Sequence, residues 1–222
     1  MQMTYSKAFQ RLKKNFSLVS VFLVLLGCSS AGMAEFQEGK HYFKLDNATP
    51  GTGENVEVLE FFNYACPHCF NLEPYVQAWE KEKPDYIKFE HAPAFWNPMY
   101  ENTAKAFYTA QELGVMDKLH LAIFDAIHNK GANFNNQEAI KAVFVANGVK
   151  AEDFDKMYSS FYISQKATMT NKQFAKFKLR SVPTIVVDGQ WRTSLQEAGS
   201  HETLFEIIEF LSKKAKESRS DS

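Results

Sequence analysis

Val56-Glu57-Val58-Leu59-Glu60-Phe61-Phe62-Asn63-Tyr64-Ala65-Cys66-Pro67-His68-Cys69 is the stretch on which the fold turns. Its first seven residues are apolar and aromatic, broken by Glu57 and Glu60, and they read as a short buried strand. A C-x-x-C follows at once. A helix is expected from about Pro67 to Lys83, with Pro67 in the first turn, where a missing N–H costs nothing.

That placement has chemical consequences. A cysteine is nucleophilic as its thiolate. At a helix N-terminus the free N–H groups and the helix dipole favour a negative charge, so the pKa of Cys66 should fall. Cys69, one turn further in, can close a disulfide with Cys66 or attack a mixed disulfide formed there. Other readings of the motif fare worse. Zinc needs four ligands, and no second cysteine pair exists. A c-type haem needs His after the second Cys, where Phe70 stands. A structural bridge closing so short a loop removes little unfolded-state entropy. A redox pair is the reading that survives. His68 could donate a hydrogen bond to the Cys66 thiolate or set positive charge beside it, making the pair a stronger oxidant. The alternative is a solvent-facing histidine with no role.

Upstream, Lys7, Arg11, Lys13 and Lys14 precede an apolar run from Phe16 to Leu26. The run is too short to span a bilayer as a helix but suits a signal-peptide core. Two processing sites compete within residues 1–34. Gly32-Met33-Ala34 before Glu35 suits ordinary cleavage. Leu25-Leu26-Gly27-Cys28 resembles a lipobox, which would leave a lipid anchor on Cys28. Both imply export to an oxidising compartment, the periplasm for a bacterial leader. Of the 3 cysteines, only Cys66 and Cys69 then lie in the body. With four basic residues in the leader, the body carries 21 basic against 26 acidic residues. That balance gives no support to nucleic-acid binding.

Downstream, Ile87 to Ala92 is a second strand candidate. Residues 102–178 read as a block of helices. Val182 to Val187 returns to strand, Asp188-Gly189 signals a hairpin turn, and Gln190 to Thr193 would be its partner. Glu202 to Lys214 is an amphipathic helix, and residues 215–222 form a polar tail expected to be disordered. The order predicts an α/β fold in which a helical insertion separates a β-α-β half (residues 35–101) from a β-β-α half (residues 179–214).

Glu60-Phe61-Phe62-Asn63-Tyr64-Ala65-Cys66-Pro67-His68-Cys69 and Ser181-Val182-Pro183-Thr184 closely resemble the active-site strand and the cis-proline loop of the DsbA family, within the thioredoxin superfamily. The resemblance covers essentially residues 36–214 and implies a thioredoxin fold with an inserted helical domain. It implies that Cys66 is the substrate-linked thiol, with Pro67 and His68 tuning it, and Cys69 the buried resolving thiol. Pro183 would be cis, and Val182, Pro183 and Thr184 would meet an extended client segment by strand addition. Glu60 would be the acidic residue beneath the site that assists proton transfer; the alternative is a glutamate facing water, as Glu57 is expected to be. The implied activity is donation of the Cys66–Cys69 disulfide to reduced, unfolded exported proteins. Reoxidation would come from a membrane quinone-linked partner similar to DsbB. No cofactor or metal beyond the redox disulfide is expected, and the protein should be a monomer. His91 reads as a structural histidine, Trp79 and Phe95-Trp96 as core or groove lining, and Met99 and Met116 as core or substrate surface.

Two rivals stand beside this reading. A reductase or isomerase of the same fold is one, but the roughly 22 residues between Glu35 and the first core strand leave no room for an N-terminal dimerisation domain. A non-catalytic client-binding protein is the other, and intact Cys66, Cys69 and Pro183 argue against it.

Overall fold

The computed structural model describes residues 36–97 and 100–220. The expected leader, Cys28 and Met99 lie outside them. Among the described residues, no helix is long and apolar enough to cross a membrane.

The chain runs β1 (Phe43–Lys44), β2 (Val56–Phe62), α1 (Pro67–Glu80), β3 (Ile87–Pro93), then α2 (Glu101–Glu112), α3 (Met116–His128), α4 (Gln137–Ala146), α5 (Ala151–Tyr158) and α6 (Phe161–Lys176). It returns through β4 (Thr184–Val187), β5 (Trp191–Thr193), α7 (Leu195–Ala198) and α8 (His201–Ser220). The five-stranded sheet has the order β1-β5-β4-β2-β3. β2 pairs parallel with β3 and antiparallel with β4. The β-α-β half, the helical insertion and the β-β-α half therefore follow in the expected order.

Alternation along β2 decides where its side chains go. Val56 and Val58 point to one face, into a core shared with Leu72, Val76 and Trp79 of α1 and Leu204, Ile207, Ile208 and Leu211 of α8. Leu59 and Phe61 point to the other, into a core with Phe174 and Phe177. Phe62 shares the first parity but lies under the insertion, packed with Tyr64, Cys69, Phe107 and Phe124. The insertion thus has its own core, and the active-site strand and helix reach into it.

The hairpin between β4 and β5 turns at Asp188 (φ 55°) and Gly189 (φ 60°), both left-handed as a two-residue turn of this type requires. A side chain at 189 would also meet the Thr49 carbonyl oxygen at 2.5 Å.

The structure departs from the sequence expectation at four places. α1 stops at Glu80 rather than Lys83, because Pro84 disfavours helix in the residue before it. The two-residue β1, which pairs with Trp191 and Arg192, is too short to carry a period. The single-turn α7, capped by the Ser194 hydroxyl, was also not anticipated. The largest correction concerns the tail: residues 215–220 are helical, not disordered. Ala215 extends the apolar stripe of α8 and is fully buried. Arg219 pairs with the buried carboxylate of Asp188 at the hairpin and donates to the Gly53 and Asn55 carbonyls at 2.5 and 3.0 Å.

Arg219→Ala should therefore lower the urea midpoint, at a cost of about 1–3 kcal/mol, because it strands the Asp188 carboxylate in the interior. Equilibrium unfolding checks this; an unchanged midpoint would mean that the tail contributes nothing.

Candidate active site

Cys66 is the N-cap of α1, and Pro67 occupies the first helical position. β2 ends at Phe62, and Asn63 shapes the link between them. Its side-chain oxygen accepts from the Ala65 N–H at 2.8 Å, and its backbone carbonyl accepts from the Cys66 N–H at 3.0 Å. The Asn63 amide in turn donates to the Ala94 carbonyl at 2.8 Å. The loop before the helix is thus tied to the chain just after β3 and cannot easily drift.

Both cysteines are free thiols; Cys66 is half-buried and Cys69 buried. The Cys66 thiol is lowered to about 6, chiefly by a hydrogen bond from the Cys69 side chain. Burial opposes that fall. The backbone N–H groups of Cys69 and His68 add to it, and the charge of His68 contributes least. His68 is solvent-exposed, so its backbone at the helix start matters more than its ring. The Cys69 thiol is pushed well up, first by burial, then by its bond to Cys66 and the nearby charge of Glu60. One sulfur is built to carry charge and the other to keep its proton.

The Val182–Pro183 peptide is cis. The loop sits against the cysteines, with the Cys66 Sγ 3.5 Å from the Val182 carbonyl oxygen. Two depressions flank this contact. One, of about 460 Å³, is lined by Cys66, Trp96, Tyr100, Arg180 and Val182. The other, of about 360 Å³, is lined by His68, Val182, Pro183 and Leu195. Trp96, 60% exposed, is groove lining rather than core, whereas Trp79 is buried. Thr184 does not face the groove: it is buried, and its hydroxyl donates to the Ser181 carbonyl at 2.8 Å. It holds the loop's shape instead of meeting a client.

Glu60 faces inward, with the parity of Val58 and Phe62, and is only 2% exposed. Burial raises its carboxyl well above the usual range, and the charges of Glu73 and Cys66 add to that. It does not stand alone. His91 of β3 puts Nδ1 3.3 Å from Glu60 Oε2, and its Nε2 lies 3.7 Å from Glu73 Oε2. His120 of α3 puts Nε2 3.2 Å from the same Glu73 oxygen. Burial holds the His91 ring well below its ordinary pKa, with the neighbouring His120 adding to the effect. His91 is therefore part of a buried titratable cluster and not an isolated structural histidine.

Glu73, His120, Tyr64 and Arg180 were not singled out from the sequence. Glu73 carried a usable signal, because it stands four residues after Cys69 and so shares its face of α1. His120 carried none, since only tertiary packing of the insertion brings it there.

Residues 87–208 match the family model of the DSBA-like thioredoxin domain. The chain is 30% identical over 193 residues to the thiol:disulfide interchange protein DsbA of Azotobacter vinelandii, covering 86% of this chain and 90% of that one. It is 37% identical over 180 residues to DsbA of Pectobacterium carotovorum, covering 79% and 83%. The crystal structure of Pseudomonas aeruginosa DsbA superposes with a TM-score of 0.78 at 28% identity, over 83% of this chain and 97% of that one. This chain has a C-x-x-C at a helix start beside a cis-proline loop, and these likenesses cover most of its length: the chain belongs to the DsbA family of thiol:disulfide oxidoreductases.

Proposed function

We propose that this oxidoreductase works as a disulfide donor to newly exported, reduced proteins in the periplasm. The observation that carries the reading is the asymmetry of the two thiols, a Cys66 lowered to about 6 beside a Cys69 pushed well up. In the oxidised enzyme a client thiolate attacks the Cys66 Sγ. The Cys66–Cys69 bond breaks, and Cys69 leaves and takes up a proton, with the raised carboxyl of Glu60 placed to supply it. A second client thiolate then attacks the client sulfur of the mixed disulfide. Cys66 departs as a stabilised thiolate, the client is oxidised by two electrons and the enzyme is reduced. A low-pKa leaving group speeds that last step.

The cis-proline loop supports the same direction of flow. Val182 stands at the edge of both depressions and beside Cys66, so an extended client segment lying along it would present its cysteine to the reactive sulfur. Return to the disulfide form falls to a membrane quinone-linked oxidase of the DsbB kind.

The size of the thiolate effect can be bounded. At pH 7 a thiol lowered to about 6 gains on the order of 1 kcal/mol over an ordinary cysteine once solvent screening at this half-exposed site is allowed for, or about 20 mV of oxidising power. Release from the client is the step that most needs it.

Two outcomes follow. Thiolate absorbance of the reduced protein should rise with a midpoint near pH 6; Cys69→Ala should move that midpoint up further than His68→Ala does, and the reverse order would remove Cys69 as the chief stabiliser. Mixed with a reduced unfolded client, oxidised wild type should form client disulfides, while Cys69→Ala activated as a Cys66 mixed disulfide should hold a client with a single cysteine as a covalent complex on non-reducing gels, because no second client thiol is there to release it. Wild type that cannot oxidise the client, but reduces a disulfide client when given an electron source, would overturn the donor assignment.

A further inference from the structure

Behind the active site, three side chains from three separate elements converge on one point. Glu73 of α1, His91 of β3 and His120 of α3 each offer a ligand atom, and these atoms lie within 4.8 Å of one another. We propose that Glu73, His91 and His120 bind a divalent transition metal of borderline softness, with Zn²⁺ the best match, at a site separate from the redox pair.

The spacing fits. Zinc holds nitrogen and oxygen ligands at about 2.0–2.1 Å, so neighbouring ligand atoms of a tetrahedral site sit about 3.3 Å apart. The His120 Nε2 to Glu73 Oε2 separation is 3.2 Å, and that from His91 Nε2 is 3.7 Å. Yet these contacts are not satisfied hydrogen bonds. The buried His120 Nε2, His91 Nδ1 and Glu60 Oε2 have no hydrogen-bond partner. Orphaned buried polar atoms are costly and call for an explanation, and a cation on the His120 Nε2 lone pair supplies one.

The outer partners point the same way. A metal-bound histidine ordinarily gives its second ring nitrogen to a carboxylate, carbonyl or water. The Nδ1 of His120 lies 2.8 Å from the Tyr64 hydroxyl, leaving Nε2 to face inward. The Nδ1 of His91 faces the Glu60 carboxylate. The Gln77 amide donates to Glu73 Oε1 at 2.9 Å, which leaves Oε2 turned to the histidines. His120 and Glu73 thus have their far sides held by hydrogen bonds, and the His120 Nε2 on the near side is free. Coordination requires the two imidazoles, now stacked at 21° with centroids 4.5 Å apart, to turn toward the ion.

Access is provided. A cleft of about 630 Å³ leads from the surface to all three ligands, and Glu80, Glu90 and Asp117 line it against Lys81. Glu90 is partly neutralised by Lys88 at 2.6 Å, so the attraction for a cation rests mainly on Glu80 and Asp117. Two nitrogens and one carboxylate leave a fourth position open to water from this cleft, the ligand set of an open zinc site.

Because free thiols also bind zinc, the test uses oxidised protein, with Cys66 and Cys69 joined. Oxidised wild type titrated with Zn²⁺ should bind one ion per chain, and His120→Asn should weaken that binding at least tenfold while keeping its far-UV spectrum. A readout that needs no variant is the Co²⁺-loaded oxidised wild type, which should show paramagnetically shifted ring resonances from two histidines. Absence of binding to oxidised wild type would overturn the proposal. So would binding that His120→Asn leaves unchanged, or Co²⁺ signals from a number of histidines other than two.

Discussion

The constraint on which the rest of this structure depends is that Cys66 must carry a negative charge beside a Cys69 that keeps its proton. It needs a helix that begins at Cys66, so that the two sulfurs stand one turn apart and the first N–H groups point at the charge. It needs Cys69 dry, so that its proton stays put. Each element of the fold serves one of these conditions. β2 and the Asn63 link deliver Cys66 to the helix N-terminus, α1 turns Cys69 inward, and the insertion covers it with Phe62, Tyr64 and Phe124.

Burial creates a second problem that the molecule solves nearby. A thiol that keeps its proton must still lose it during each catalytic cycle, and Cys69 is buried away from solvent. In the proposed cycle Glu60 is the carboxyl that exchanges that proton, and its own raised pKa follows from the same burial. Glu60 is in turn backed by His91, Glu73 and His120, so the proton-exchanging group and the metal-ligand set share one buried layer between α1, β3 and α3. Occupation of the metal position would act on Glu60 through His91, which gives the two sites a physical connection without a shared ligand.

Much of this was legible in the sequence, and the reason is local. A strand, a C-x-x-C and a proline in the first helical turn are all contiguous between Val56 and Cys69, and the Asp188-Gly189 turn needs two adjacent left-handed residues that only a few sequences supply. Glu60 was set apart from Glu57 only by the family resemblance. What could not be read depends on distance along the chain. His120 meets Glu73 across the insertion, and Trp96 and Arg180 meet at the groove from opposite ends of it. The tail misled for a different reason: Lys216, Glu217, Ser218 and Arg219 look like a solvated end by composition. One small residue, Ala215, and one arginine aimed at Asp188 were enough to keep the helix going.

The most direct test of the central claim compares urea unfolding of the reduced and oxidised protein as a function of pH. A thiolate whose folded pKa lies below its unfolded value stabilises the folded reduced state above about pH 6, and that contribution is lost as pH falls through 6. Reduced protein should therefore be the more resistant form at pH 7.5, with its advantage shrinking at pH 5. Oxidised protein that is more resistant at both pH values would contradict the account, because the folded state would then hold its disulfide rather than release it.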